Sequence, residues 1–204
     1  MFKAIYLSVF FLVMSFASTH LFAASTAVVG VAKYSELKEG LFLVSLSAET
    51  RSEQDLTAES LSVGAIHEPS ILERAQQLEF KFLRSVSTRK FSLLMKQGAA
   101  INNTPERVSE NAQSLGEFGQ QFPGRFMAGD RLLMILGEDG VFYTQLNGVD
   151  LGSQLNESTF RLLLSGFLGD VPPSRAFRDA LSGESDSIAL QAEFAAQFNN
   201  VVLR

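Results

Sequence analysis

Apolar runs and turn signals alternate most regularly between Gly129 and Gly183. The first three apolar runs of this stretch are 132–136, 141–146 and 149–151. Asp139-Gly140 separates the first two runs, and Asn147-Gly148 separates the last two. Both pairs tolerate the positive φ that tight hairpin turns require. The pattern therefore predicts three antiparallel strands that follow one another along the chain.

Two helices are predicted after these strands. The first is expected to begin near Ser158, whose hydroxyl can cap it, and to end at Gly169. Its apolar residues recur at helical spacing, at Phe160, Leu163, Leu164, Phe167 and Leu168. The second helix follows Pro172-Pro173-Ser174 and closes at Gly183.

Three more strands are predicted in the earlier part of the chain. Two short runs rich in valine and leucine cover 26–32 and 41–47. The third run covers 76–86, and its apolar and charged residues alternate, which predicts a strand with one buried face and one solvated face. The buried face would carry Leu78, Phe80 and Phe82, and the solvated face Glu79 and Lys81.

Two helices are predicted between the third strand and Gly129. Ser87 can cap the first helix, and Thr104 followed by Pro105 is a favourable start for the second. The apolar residues of the second helix are Val108, Ala112, Leu115, Phe118 and Phe122. Their steps of three and four predict one apolar stripe that faces the sheet.

The order of these elements resembles that of the chalcone isomerase-like family. The resemblance rests on Gly129-Asp130, the two hairpin signals, Phe167-Leu168-Gly169, Pro173-Ser174 and Leu181-Ser182-Gly183, and it extends more weakly back to about Gly40. It implies an α+β fold, in which a curved antiparallel sheet is covered on one face by helices as an open-faced sandwich. Bacterial members of this family look like secreted or periplasmic proteins and have no established reaction, so the resemblance implies a fold rather than an activity.

The N-terminus predicts export from the cytoplasm. Lys3 precedes an almost unbroken apolar run from Ala4 to Ala17, which is the layout of a secretory signal peptide, and an uncleaved anchor is the alternative. We therefore divide the chain into a signal peptide (1–24), a chalcone isomerase-like domain (25–183) and a C-terminal helical tail (184–204). The chain has no cysteine, which excludes a lipoprotein anchor and disulfides. The expected location is periplasmic or secreted.

Composition narrows the classes of partner. The formal net charge is −5, and no run of lysines or arginines occurs. Nucleic acid is therefore not an expected partner, and contact with a membrane is expected only through the signal peptide before cleavage. The chain has 18 phenylalanines and 3 tyrosines, so it builds apolar volume with few polar groups. Residues 187–199 carry a helical apolar pattern, which predicts either a docked helix or a surface that recruits a protein partner.

Catalytic signals are sparse. His67 is the only histidine beyond the predicted signal peptide, and no Gly-x-Ser-x-Gly motif accompanies a serine. The adjacent carboxylates Glu138 and Asp139 lie in a predicted turn, where they are expected to face water. We predict no metal site, no cofactor and no catalytic residue from these patterns.

The family resemblance also weighs against ring closure. Chalcone isomerases place an arginine near the substrate oxyanion and a tyrosine and an asparagine on a helix. In this chain the tyrosine position would be Phe91 and the asparagine position falls near Gly98. The nearest cation to the arginine position is Lys38. The resemblance therefore implies that the arginine that holds the oxyanion and the two groups that order the substrate are missing.

Ligand binding is the function that the resemblance implies once these groups are gone, because non-catalytic plant relatives bind fatty acids. The expected cavity lies between the sheet and its helices, lined by Phe80, Phe82, Phe91 and Met95, unless the rings fill it. Lys38 and Arg84 are the cations expected to meet a carboxylate. We thus predict non-catalytic binding of a small apolar ligand such as a fatty acid. The alternatives are an isomerase (intramolecular lyase) and a structural or partner-binding protein.

Overall fold

The computed structural model describes residues 26–36, 39–49, 70–122, 124–152, 154–185 and 188–199. The predicted signal peptide, Lys38 and His67 lie outside the described residues. None of the described helices is long and apolar enough to cross a membrane.

One antiparallel sheet organises the described part of the chain. Its strands are β1 (Thr26–Glu36), β2 (Glu39–Glu49), β3 (Ala75–Phe82), β6 (Arg131–Leu136), β7 (Val141–Leu146), β8 (Val149–Asp150) and β9 (Leu155–Asn156). They pair in the order β1-β2-β3-β6-β7-β8, and β9 pairs with β7. Two short strands, β4 (Val86–Ser87) and β5 (Arg125–Phe126), pair separately beside the end of β3.

Helices fill the connections between these strands. They are α1 (Ile71–Arg74), α2 (Thr88–Ile101), α3 (Pro105–Glu110), α4 (Ala112–Gln120), α5 (Glu157–Leu168), α6 (Arg175–Leu181) and α7 (Ile188–Asn199). The first six lie on one side of the sheet, which we call the helical face, and among them α3 packs on α2 and α4. Together the sheet and these helices confirm the predicted α+β fold.

The predicted hairpins are confirmed. Gly140 has φ +75° between β6 and β7, and Asn147 and Gly148 have φ +52° and +79° between β7 and β8. Two predicted helix starts are also confirmed, because the Ser87 hydroxyl accepts from the Lys90 N–H and the Thr104 hydroxyl from the Arg107 N–H.

Two helix predictions were wrong in detail. The cap of α5 is Asn156 rather than Ser158, because the Asn156 carbonyl oxygen accepts from the Thr159 N–H at 2.8 Å. The predicted helix after Thr104 is broken into α3 and α4 at Asn111. The break leaves Ala112 exposed. Of the predicted stripe, Leu115, Phe118 and Phe122 are buried in the core, and Val108 packs against it half-buried.

The core lies between the sheet and α2, α4, α5 and α6. Aromatic rings dominate it, and Phe42, Phe80, Phe82, Phe91, Phe118, Phe126, Phe142, Phe160 and Phe167 are almost completely buried. The predicted apolar residues of α5 are all buried, as are Phe177, Ala180 and Leu181 of α6. The fold therefore rests on packing of phenylalanine rings from both layers.

The opposite face of the sheet, which we call the outer face, is partly covered by α7. Glu193 of α7 forms an ion pair with Lys33 of β1 at 3.1 Å, and the Phe198 ring lies 4.1 Å from the Arg131 guanidinium. A solvated outer face of β3 was therefore a wrong prediction, since Glu79 and Lys81 are buried there.

Candidate ligand-binding site

An apolar cavity of about 240 Å³ opens at one end of the helical layer. Its walls are α2 between Leu94 and Ile101, α5 between Leu163 and Phe167, loop residues 171–173 and Tyr34 of β1. None of its described lining residues carries a charge. Such a cavity favours an apolar molecule, because it offers few partners for a buried charge.

Two glycines set the floor of the cavity. Gly98 of α2 and Gly166 of α5 face each other where the helices cross, and a methyl group on Gly98 would lie 3.0 Å from the Gly166 Cα. Both glycines line the cavity. The helices can approach this closely because neither residue has a side chain.

A more polar cleft of about 230 Å³ shares Tyr34 and Pro173 with the cavity. Its other lining residues are Lys33, Ser35, Ser174 and Phe177. The Ser174 hydroxyl caps α6 by accepting from the Phe177 N–H at 3.0 Å. An apolar cavity and a polar cleft on the two sides of Tyr34 would suit a ligand with an apolar tail and a polar head.

The predicted site residues do not all meet at this cavity. Met95 lines it, whereas Phe80, Phe82 and Phe91 do not. The Phe91 ring lies 5.2 Å from the Phe80 ring and 5.6 Å from the Phe82 ring, so these three side chains pack against one another. Arg84 is exposed after the end of β3 and does not line the cavity.

Of the described lining residues, only Met95 was predicted, and those missed include Tyr34, the two crossing glycines and the loop prolines. Gly98 was noticed only as the family's asparagine position, and the structure places it on the cavity wall. Pro172 and Pro173 were predicted to start a helix, and Pro173-Ser174 belongs to the family resemblance, but neither was predicted to line a cavity. Because Val171 and Pro173 are exposed, we call the lining loop 171–173 the rim. A glycine inside a helical pattern was the available signal, because it often marks close packing.

A second group of polar residues lies on the outer face. Arg131 donates from Nη2 to Glu79 Oε2 at 3.2 Å, and its Nε lies against Glu79 Oε1. Lys81 Nζ is buried without a hydrogen-bond partner among the described residues and lies 5.7 Å from the Phe198 ring centre. Burial lowers the pKa of Lys81, and burial raises the pKa of Glu79 despite Arg131. No described group of three or more acidic or histidine side chains could hold a metal ion.

Comparison with solved structures identifies the fold. The crystal structure of a fatty-acid binding protein from Arabidopsis thaliana superposes with a TM-score of 0.58 over 78% of this chain and 88% of that chain. The fold is chalcone isomerase-like. At 13% sequence identity the similarity establishes the chalcone isomerase-like fold alone. No protein-family model and no curated protein sequence matches the chain.

Proposed function

We propose that this chalcone isomerase-like protein binds a small apolar ligand, such as a fatty acid, without transforming it. The observation that carries the proposal is the cavity, whose described walls are apolar and uncharged. The structural neighbour from Arabidopsis is a fatty-acid binding protein, which supports the same ligand class. The acyl chain would occupy the cavity, and the head group would face the polar cleft beside Tyr34.

The absence of ring-closing groups supports binding over catalysis. Phe91 has no hydroxyl and is surrounded by other phenylalanines, and Gly98 has no side chain to order a substrate. A chalcone assay with the purified protein tests this part of the proposal. We expect no rate above the spontaneous one, and turnover well above it would favour the isomerase instead.

Ligand binding is tested by titration with cis-parinaric acid, a fatty acid that fluoresces in apolar surroundings. We expect saturable binding by the wild-type protein and loss of binding by Leu94→Trp, because Leu94 lines the cavity. The matched control is Leu93→Trp, since Leu93 is 53% exposed on the same helix and does not line the cavity. No saturable binding by the wild type, or equal binding by both variants, would reject the proposed site.

The head group is tested by comparing laurate with dodecanol. Lys38 and Arg84 are the cations predicted from sequence, and Lys33 lines the polar cleft, where a carboxylate would compete with Glu193 for its ammonium. If one of them meets the carboxylate, its change to alanine will weaken laurate binding and leave dodecanol binding unchanged. If all three variants bind laurate as the wild type does, the head group lies elsewhere.

Export to the periplasm or beyond the cell is part of the proposal and rests on the signal-peptide pattern at the N-terminus. N-terminal sequencing of the protein from its native compartment tests it. We expect a mature start between about residues 24 and 28. Intact Lys3 in a membrane fraction would make the segment an anchor.

A further inference from the structure

One side-chain amide joins two walls of the cavity. Asn102 follows the last turn of α2, and its Nδ2 donates to the Gly98 carbonyl at 3.0 Å and to the Val171 carbonyl at 3.1 Å. Its Oδ1 accepts from the Val171 N–H at 2.7 Å. Gly98 belongs to the α2 wall, and Val171 belongs to the loop that forms the rim. All the hydrogen-bonding capacity of the NH₂ group is used between these two walls.

The surroundings of Asn102 are built for this contact. A methyl group on Gly169 would lie 2.5 Å from Asn102 Oδ1, so the loop can approach the amide only because residue 169 is glycine. Val171 uses its backbone alone, because its N–H donates to Asn102 Oδ1 and its carbonyl accepts from Asn102 Nδ2, and the residue is 56% exposed. The position of loop 169–173 is therefore fixed by the amide rather than by burial of the Val171 side chain.

We propose that Asn102 is a positioning residue for ligand exchange: it holds loop 169–173 against α2 and thereby sets how fast a ligand leaves the cavity. The inference rests on the proposed function of the cavity. Because Pro172 and Pro173 follow the clamped residue and form the rim, loss of the clamp loosens the rim as a unit. Prolines transmit this constraint because their φ angles are fixed.

Asn102→Ala tests the inference in the full chain. We expect the Val171 amide to exchange with solvent faster, and cis-parinaric acid to dissociate about tenfold faster, because the two bonds to the loop are lost. Asn102→Asp is a second variant, which keeps an acceptor for the Val171 N–H and loses both donated bonds. We expect its rates of Val171 amide exchange and of ligand dissociation to lie above those of the wild type and not above those of Asn102→Ala.

Asn103→Ala is the matched control. The Asn103 amide also secures the end of α2, because it donates to the Ala99 carbonyl and to the Ser165 hydroxyl, both at 2.7 Å, but neither partner belongs to the loop. We expect a loss of stability without faster ligand dissociation. If Asn102 had only a structural role, Asn102→Ala and Asn103→Ala would both lower the free energy of unfolding and leave the rate of ligand dissociation unchanged.

The outcomes separate this inference from the proposed function. If the wild type binds and Asn102→Ala leaves Val171 exchange and ligand dissociation unchanged, the role of Asn102 is rejected while the cavity stands. If Asn103→Ala accelerates dissociation as much as Asn102→Ala, the role of Asn102 is likewise rejected. If the wild type does not bind, the proposed function fails, and Val171 exchange still decides whether the amide holds the loop.

Discussion

Phe91 stands at the position where the family resemblance implies a tyrosine, and its ring serves packing instead. Its ring lies between 5.2 and 5.9 Å from those of five phenylalanines, Phe42, Phe80, Phe82, Phe122 and Phe126. All five pairs meet edge to face, which is a favourable geometry for aromatic rings. The prediction that Phe91 faces the interior is confirmed, and its position is a packing centre of the core.

We predict that Phe91→Ala lowers the free energy of unfolding by about 3–5 kcal/mol, because it leaves a cavity among rigid rings. Phe91→Tyr should also destabilise, by about 1–3 kcal/mol, since a hydroxyl would enter an apolar cluster. Chemical denaturation measures both changes. Leu93→Ala, at an exposed position of the same helix, is the control and should change stability by less than about 0.5 kcal/mol. A negligible effect of Phe91→Ala would contradict the packing.

Lys81 is a buried cation without a hydrogen-bond partner among the described residues. Its ammonium is enclosed, and Glu79, the carboxylate whose charge acts most strongly on it, is already paired with Arg131. A buried charge without a hydrogen-bonded partner destabilises a fold. We therefore predict that Lys81→Met raises the free energy of unfolding at neutral pH, by about 1–3 kcal/mol. The control Lys90→Met changes an exposed lysine and should have little effect; a destabilising Lys81→Met would contradict the prediction.

The same residue predicts a pH dependence. Burial lowers the pKa of Lys81 in the folded protein, so between that pKa and the ordinary value only the unfolded chain binds the proton. The free energy of unfolding should thus increase as pH rises through this window, and Lys81→Met should abolish the increase. Glu79 has the opposite effect in the acidic range, because burial raises its pKa and the folded state holds the proton more tightly. The free energy of unfolding should therefore decrease as pH rises through the window between the ordinary and the raised pKa of Glu79. Denaturation curves across the pH range measure both slopes.

At the scale of elements, the crossing of α2 and α5 decides the shape of the cavity. We predict that Gly98→Ala destabilises the protein by about 1–3 kcal/mol, because its methyl group would press on the Gly166 backbone. Alanine ordinarily favours helices by about 1 kcal/mol over glycine, so the packing penalty must exceed this gain. The control is Gly116→Ala in α4, where a methyl group meets nothing within 4 Å and should stabilise. Stabilisation by both variants would contradict close helix contact.

The elements that the sequence predicts well are those with local causes. The hairpins depend on Gly140, Asn147 and Gly148, whose preference for positive φ is a property of the residues themselves. The cavity could not be predicted in this way, because it depends on where Gly98 and Gly166 meet in three dimensions. The alternation in β3 correctly separated its two faces, but it wrongly predicted that the outer one is solvated. The burial of Lys81 depends on a helix more than a hundred residues later.

At the scale of the molecule, the two faces of the sheet have different roles. The helical face holds the aromatic core and the cavity, whereas α7 covers the outer face through a few contacts. The Lys33–Glu193 pair is partly exposed and contributes at most about 1 kcal/mol, and the cation–π contact of Phe198 adds about 1–2 kcal/mol. Desolvation of Lys81 opposes these gains, and no residue of α7 belongs to the described core cluster. We therefore expect α7 to dock with a small net free energy.

We predict from this balance that a chain ending at Ser185 still unfolds cooperatively, within about 2 kcal/mol of the full chain, because α7 contributes no residue to the described core.

Removal of α7 should expose Lys81 to water and return its pKa toward the ordinary value. The alkaline increase in stability should then disappear from the truncated protein, as in Lys81→Met, and adding Lys81→Met to the truncation should have little further effect. Denaturation across the alkaline range measures this, and an increase that persists in the truncated chain would show that another part of the protein buries Lys81.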